Sequence, residues 1–155
     1  VAPEENCSAP FKIPDNLKSH DWIKCSDVGF MEWNVNENYL KEWLKDIPDT
    51  WIPNISHIQQ AINWGEHINK EAEKRPMNVA LHCSLGISRS PAFLYIILYT
   101  LHKSASFAIK KLKDVAPKAV PNPYIIKLAD EYLQCDGELI RHLKDEFYSD
   151  LSDLA

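Results

Sequence analysis

The stretch MNVALHCSLGISRSPAFLYIILYTLHK, residues 77–103, constrains the fold more than any other part of the chain. It opens on a short apolar run after Arg75-Pro76, passes through a loop of small and polar residues, and closes on a run that is apolar nearly all round. A run of the last kind predicts a helix packed inside a domain, because a surface helix keeps a polar face. The first run, MNVALH, is bounded by a proline break and a loop and reads as a short buried strand. A strand, a tight loop and a buried helix starting near Ser90 therefore form one unit, and the remaining segments must supply the surfaces that cover it.

Those segments are mostly helical. After IPDTWIPN, the residues Ile55, Ile58, Ile62 and Ile68 fall on one side of a helix that Asn54 or Ser56 can cap and that ends near Arg75-Pro76. Downstream, SASFAIKKLKDVA puts Ala108, Leu112 and Val115 on one face, and GELIRHLKDEFYSDL aligns Ile140, Leu143 and Phe147. Between them, PYIIKLADEYLQC is announced by Asn122-Pro123, a favoured cap followed by a residue suited to the first helical position. Upstream, DWIKCSDVGFMEW has room for one or two strands, while ENYLKEWLKDI fits a helix or a strand equally. Residues 1–20 hold three prolines and no apolar periodicity, which predicts an extended or poorly ordered N-terminal segment ahead of a single domain over residues 21–155. The expected fold class is α/β, a small central sheet flanked by helices with the strand-loop-helix unit at its centre.

The chain's 155 residues suffice to bury a core without staples, and 45% hydrophobic and 25% charged residues are the make-up of an ordinary folded chain. The four cysteines, Cys7, Cys25, Cys83 and Cys135, form no CxxC pair, so a zinc site or thioredoxin-like motif is not indicated, and reduced thiols in a cytoplasmic setting are expected. No apolar run approaches the about 18 residues of a membrane span. A net charge of −5, from 17 basic and 22 acidic residues, argues against a nucleic-acid backbone or an anionic membrane as partner. No metal and no cofactor are expected, and the expected state is a monomer.

The loop HCSLGISRSP, residues 82–91, carries the chemistry. Cys83 stands at the predicted strand end, facing the mouth of a helix. Backbone N–H groups there carry positive partial charge, bind anions and favour thiolate over thiol. An unperturbed cysteine has a pKa of about 8.5, and a helix N-terminus with a nearby arginine brings it to roughly 3.5–7.5. Arg89 adds a planar, permanently charged fork matched to phosphate oxygens, and Gly86 lets the backbone pass close to a ligand. A small buried hydrophobe at Cys83 would need none of His82, Gly86, Arg89 and Ser90. Together these groups fit attack on a tetrahedral oxyanion to give a covalent thiol-phosphate, followed by hydrolysis with help from a carboxylic acid on a neighbouring loop.

HCSLGISRSP resembles the His-Cys-x5-Arg-Ser/Thr signature of cysteine-dependent protein phosphatases, and most closely that of the small dual-specificity branch. DTWIPNIS is similar to that branch's acid loop, in which an Asp precedes the Asn that opens the next helix, and VPNPYIIKLADEYL is similar to its Pro-Asn element. The likeness spans about residues 46 to 133, with Leu85 standing where the branch has a small residue. The resemblance implies Cys83 as nucleophile, Arg89 and the amides of Ser84, Leu85, Gly86, Ile87 and Ser88 as the phosphate cradle, and Ser90 as the group that stabilises the departing thiolate. It also implies supporting roles for His82 and Asn122. Asp49 fits the spacing of the general acid, with Asp46 as the alternative.

The implied activity is metal-independent hydrolysis of phosphotyrosine, with phosphoserine and phosphothreonine as further candidates, on a phosphorylated protein or peptide. A phosphoinositide or RNA 5′-phosphate phosphatase is the competing enzyme, but the loop residues Ser84 to Ser88 include no lysine. A catalytically silent phosphate-binding module is the alternative of another class, and it would have no need of Cys83.

Overall fold

The computed structural model describes residues 48–149 and, upstream of them, Ile23, Cys25, Asp27 and Lys45. Among the described residues the regular elements are a 3-10 turn, Asp49–Trp51, and five α-helices: α1 (Ile55–Ala72), α2 (Arg89–His102), α3 (Ala105–Val115), α4 (Pro123–Leu133) and α5 (Glu138–Phe147).

Helix starts follow their caps. Asn54 accepts from the Ser56 amide at 2.9 Å while the His57 ring accepts from the Asn54 amide at 3.1 Å, a reciprocal box that settles the cap of α1 on Asn54. Ser104 caps α3 through the Phe107 amide, and Asn122 caps α4 through the Ile125 amide at 3.0 Å, with Pro123 in the first turn. Helix α5 begins after Gly137, which has no side chain to offer. Its cap comes instead from Asp130 of α4, whose buried carboxylate accepts from Gly137 and Leu139 at 2.7 Å each and from Ile140 at 3.2 Å.

Helix α2 lies at the centre, as its all-round apolar sequence predicts: nine of its fourteen residues are buried, Phe93, Tyr95 and Ile96 among them. Helices α1, α3 and α4 pack around it, and α5 closes against α3 and α4. The approach of α1 to α2 is close enough that a Cβ on Gly65 would lie 2.9 Å from both Cβ and Cγ2 of Thr100. Ile23 and Cys25 are fully buried in the same core, so the upstream segment contributes to it.

The expected α/β class is corrected. Among the described residues no strand occurs, and residues 77–82, read from their sequence as a buried strand, have no regular secondary structure. A strand persists only as one side of a hydrogen-bonded ladder, and no described residue forms a ladder with this run. Its surroundings agree: Asn78, Val79 and Ala80 are exposed, Val79 by 48%, where a central strand would be covered on both faces. The unit at the centre is therefore an irregular run, a loop and a helix. The predicted segment over 1–20 lies outside the described residues, as do the candidate strands in DWIKCSDVGFMEW and the ambiguous ENYLKEWLKDI, apart from Ile23, Cys25, Asp27 and Lys45.

Candidate active site

The loop between the irregular run and α2 gathers around the sulfur of Cys83. Gly86 takes a positive φ of 71°, a conformation that L-residues adopt at a penalty, and this turns its amide onto Cys83 Sγ at 3.2 Å. Helix α2 starts one residue earlier than its sequence suggests, at Arg89. Ser90 is thereby placed in the first turn, where its hydroxyl donates to Cys83 Sγ at 3.3 Å. The residue in the cap position is Ser88, whose hydroxyl makes no capping bond and donates to Asp27 at 2.8 Å instead.

These contacts set the thiol's acidity. Burial pushes Cys83 up, but the Ser90 hydroxyl, the amides of Ser90 and Gly86 and the Arg89 charge outweigh it and bring the group down to about 7. Cys25 is the contrast. Burial dominates there, Arg89 opposes it only in part, Asp27 reinforces it, and the thiol is pushed up to about 12. Cys25, Cys83 and Cys135 form no disulfide, and Cys7 lies outside the described residues.

Arg89 is 5% exposed although it carries a permanent charge. Its Nη1 donates to the Cys25 carbonyl at 3.0 Å and its Nη2 to Ser84 Oγ at 3.2 Å, which fixes the plane of the guanidinium. Among the described residues its Nε has no hydrogen-bond partner, a costly state for a buried donor. Asp27 Oδ2 lies 3.8 Å from it, beyond hydrogen-bond reach.

The Pro-Asn element lies against the loop. The Val120 amide donates to the Ile87 carbonyl at 2.8 Å and the Asn122 amide to the Ser88 carbonyl at 3.2 Å, while the buried Asn122 side chain donates to Asp27 Oδ1 at 2.9 Å. Tyr148, after α5, supports the element from behind through its hydroxyl, which donates to the Pro121 carbonyl at 2.9 Å.

Of the residues singled out in the sequence, Cys83, Ser84, Gly86, Ser88, Arg89, Ser90 and Asn122 are joined by these bonds. His82 is half-buried beside Cys83 in the chain; Leu85 and Ile87 turn their side chains outward, Leu85 being 82% exposed. Asp49 opens the 3-10 turn, where the Trp51 amide donates to the Pro48 carbonyl, and Asp46 lies outside the described residues. Asp27 and Tyr148 were not legible as site residues. Neither stands in a motif: Asp27 meets the loop across 61 residues, and Tyr148 meets the Pro-Asn element across 27.

Among the described residues no group of three or more His, Cys, Asp or Glu side chains is placed to hold a metal ion, and no helix is long and apolar enough to cross a membrane. What the loop offers is a thiol half-ionised near neutrality, inward-turned amides and a buried guanidinium with one donor uncommitted. Comparison with family models, with curated proteins and with solved structures gives no match.

Proposed function

We propose that the protein is a metal-independent phosphatase that hydrolyses phosphotyrosine in proteins or peptides through a phosphocysteine intermediate. The observation that carries this reading is the buried Arg89 whose Nε lacks a partner, held in the same loop as a thiol of pKa about 7. Nε and one terminal nitrogen form the side edge of a guanidinium, and that edge matches two oxygens of a phosphate. A dianion seated there would satisfy the orphaned donor and would present its phosphorus to Cys83.

In the first step the Cys83 thiolate attacks phosphorus; the S–P bond forms, the ester P–O bond breaks, and the leaving oxygen takes a proton from a carboxylic acid, the role assigned to Asp49. In the second, water attacks the phosphocysteine after giving a proton to the same carboxylate. The S–P bond breaks, phosphate leaves, and the Ser90 hydroxyl receives the thiolate. The surroundings of the loop support this substrate class. Leu85, Ile87 and Val120 are exposed apolar side chains on the two adjoining loops, suited to an aromatic ester, and Arg89 is the sole cation within Ser84–Ser90. A thiol that must stay reduced suits a cytoplasmic location.

The test is a hydrolysis panel of phosphotyrosine, phosphoserine and phosphothreonine peptides, phosphoinositides and triphosphorylated RNA, run with excess chelator. Phosphotyrosine peptides are expected to show the highest kcat/KM, and Cys83→Ser to abolish turnover while retaining oxyanion binding. Turnover that survives in Cys83→Ser, or a higher kcat/KM on a phosphoinositide, would overturn the mechanism or the substrate class respectively.

A further inference from the structure

Asp27 stands at the meeting point of three parts of the site. Its Oδ1 accepts from Ser88 Oγ in the phosphate loop at 2.8 Å and from Asn122 Nδ2 in the Pro-Asn element at 2.9 Å, and its Oδ2 lies 3.8 Å from Arg89 Nε. The partners are 61 and 95 residues away in the chain, so the carboxylate closes a tertiary contact. Exposed ion pairs contribute little, but here the side chain of the cation is 6% exposed against 37% for that of Asp27, and the charge it faces is one the core has already desolvated.

Resting on the phosphatase reading, we infer that Asp27 is a positioning residue for Arg89: through Oδ1 it holds the two loops together, and through Oδ2 it balances the guanidinium charge without engaging the Nε proton. The 3.8 Å separation matters. It is short enough for attraction and too long for a hydrogen bond, so an incoming phosphate oxygen can accept a hydrogen bond from that N–H without displacing one to Asp27. With Cys25 and Ser84 holding the two terminal nitrogens, the third corner of the group remains oriented, its N–H unpaired among the described residues. Asp27 itself need not touch the substrate.

The experiment measures tungstate binding by calorimetry in the Cys83→Ser protein and kcat and KM on a phosphotyrosine peptide in the active protein, each with Asp27, Asp27→Asn and Asp27→Ala. Asp27→Ala is expected to weaken tungstate binding and raise KM by about tenfold. Asp27→Asn, which keeps an acceptor for Ser88 and Asn122 and loses only the charge, is expected to retain more of the affinity and to fold where alanine fails. In an Arg89→Ala background the effect of Asp27→Ala on tungstate affinity should vanish, because Asp27 acts through Arg89. A lower melting temperature with unchanged tungstate affinity would assign Asp27 a structural role and overturn the inference, as would an undiminished loss in the Arg89→Ala background. If the parent protein hydrolysed no ester and Cys83→Ser bound no tungstate, the phosphatase reading itself would fail; an active parent with indifferent Asp27 variants would sink this inference alone.

Discussion

Ser90 Oγ donates to Cys83 Sγ from within the first turn of α2, across 3.3 Å, and this bond is the largest single influence holding the thiol below its ordinary range. Its removal has a readable consequence. With a pKa of about 7, Cys83 alkylation by iodoacetamide should rise with pH and reach its half-maximum near neutrality, since the thiolate is the reacting form. In Ser90→Ala the burial that pushes the thiol up loses its main opponent, and the half-maximum should move to higher pH. A midpoint that stays near neutrality in the variant would show that the amides and Arg89 suffice without the hydroxyl.

Two glycines separate conformational from steric demands. Gly86 has a φ of +71° and open space where a Cβ would go, so Gly86→Ala incurs only the left-handed backbone penalty, about 1–2 kcal/mol, which the loop escapes by relaxing and withdrawing its amide from Cys83. Gly65 is helical and crowded. Its added Cβ would meet Thr100 Cβ at 2.9 Å, an atom that no side-chain rotation moves away. Overpacking of this kind costs about 1–3 kcal/mol and exceeds the ~1 kcal/mol that alanine gains in a helix. Gly86→Ala should therefore lose activity with little change in Tm, and Gly65→Ala should lose Tm with its remaining folded fraction active. The reverse pattern in side-by-side melting and turnover assays would contradict the packing described for both.

The Asp130 carboxylate is the only cap α5 receives from a side chain among the described residues, and it leaves three amides unpaired if removed. Stranding buried donors costs about 1–3 kcal/mol, so Asp130→Ala should lower stability by about 2 kcal/mol, or about 4–8 °C in Tm for a chain of this size. Asp130→Asn, which keeps one acceptor oxygen, should recover part of the loss. A denaturant melt of the two variants decides it, and equal stability of alanine and parent would mean that water replaces the cap.

The helices were legible because their signals are local. Asn122-Pro123 marks its own start, Asn54 or Ser56 marks that of α1, and the all-round apolar run of α2 can only be an interior helix. Local periodicity misplaced Val115, which ends α3 beyond the reach of the core and is 61% exposed. It also read residues 77–82 as a strand, a state that depends on a partner elsewhere in the chain and so leaves no trace in the run itself. The same division holds at the site. Cys83, Gly86, Arg89 and Ser90 lie within one loop and one helical turn, where spacing alone brings them together. Asp27 joins them only through the tertiary fold, and a single acidic residue in CSDVGF has no pattern to announce it.

The general acid is the remaining assignment that two variants can decide. Protonating the leaving oxygen matters in proportion to its basicity, and general acid catalysis is worth about 10²–10⁴ in rate. Asp49→Asn should therefore lower kcat by about 10²–10⁴ on phosphoserine or phosphotyrosine peptides and far less on p-nitrophenyl phosphate, whose phenolate leaves unaided. The same change at Asp46 should produce a small loss that is alike on both substrates. Asp49 stands at the start of a 3-10 turn and five residues before the cap of α1, so its backbone is held by the elements on its C-terminal side. A large, leaving-group-dependent loss in Asp46→Asn with a mild effect in Asp49→Asn would transfer the role to Asp46. Small, equal effects in both would move the acid to another carboxylate altogether.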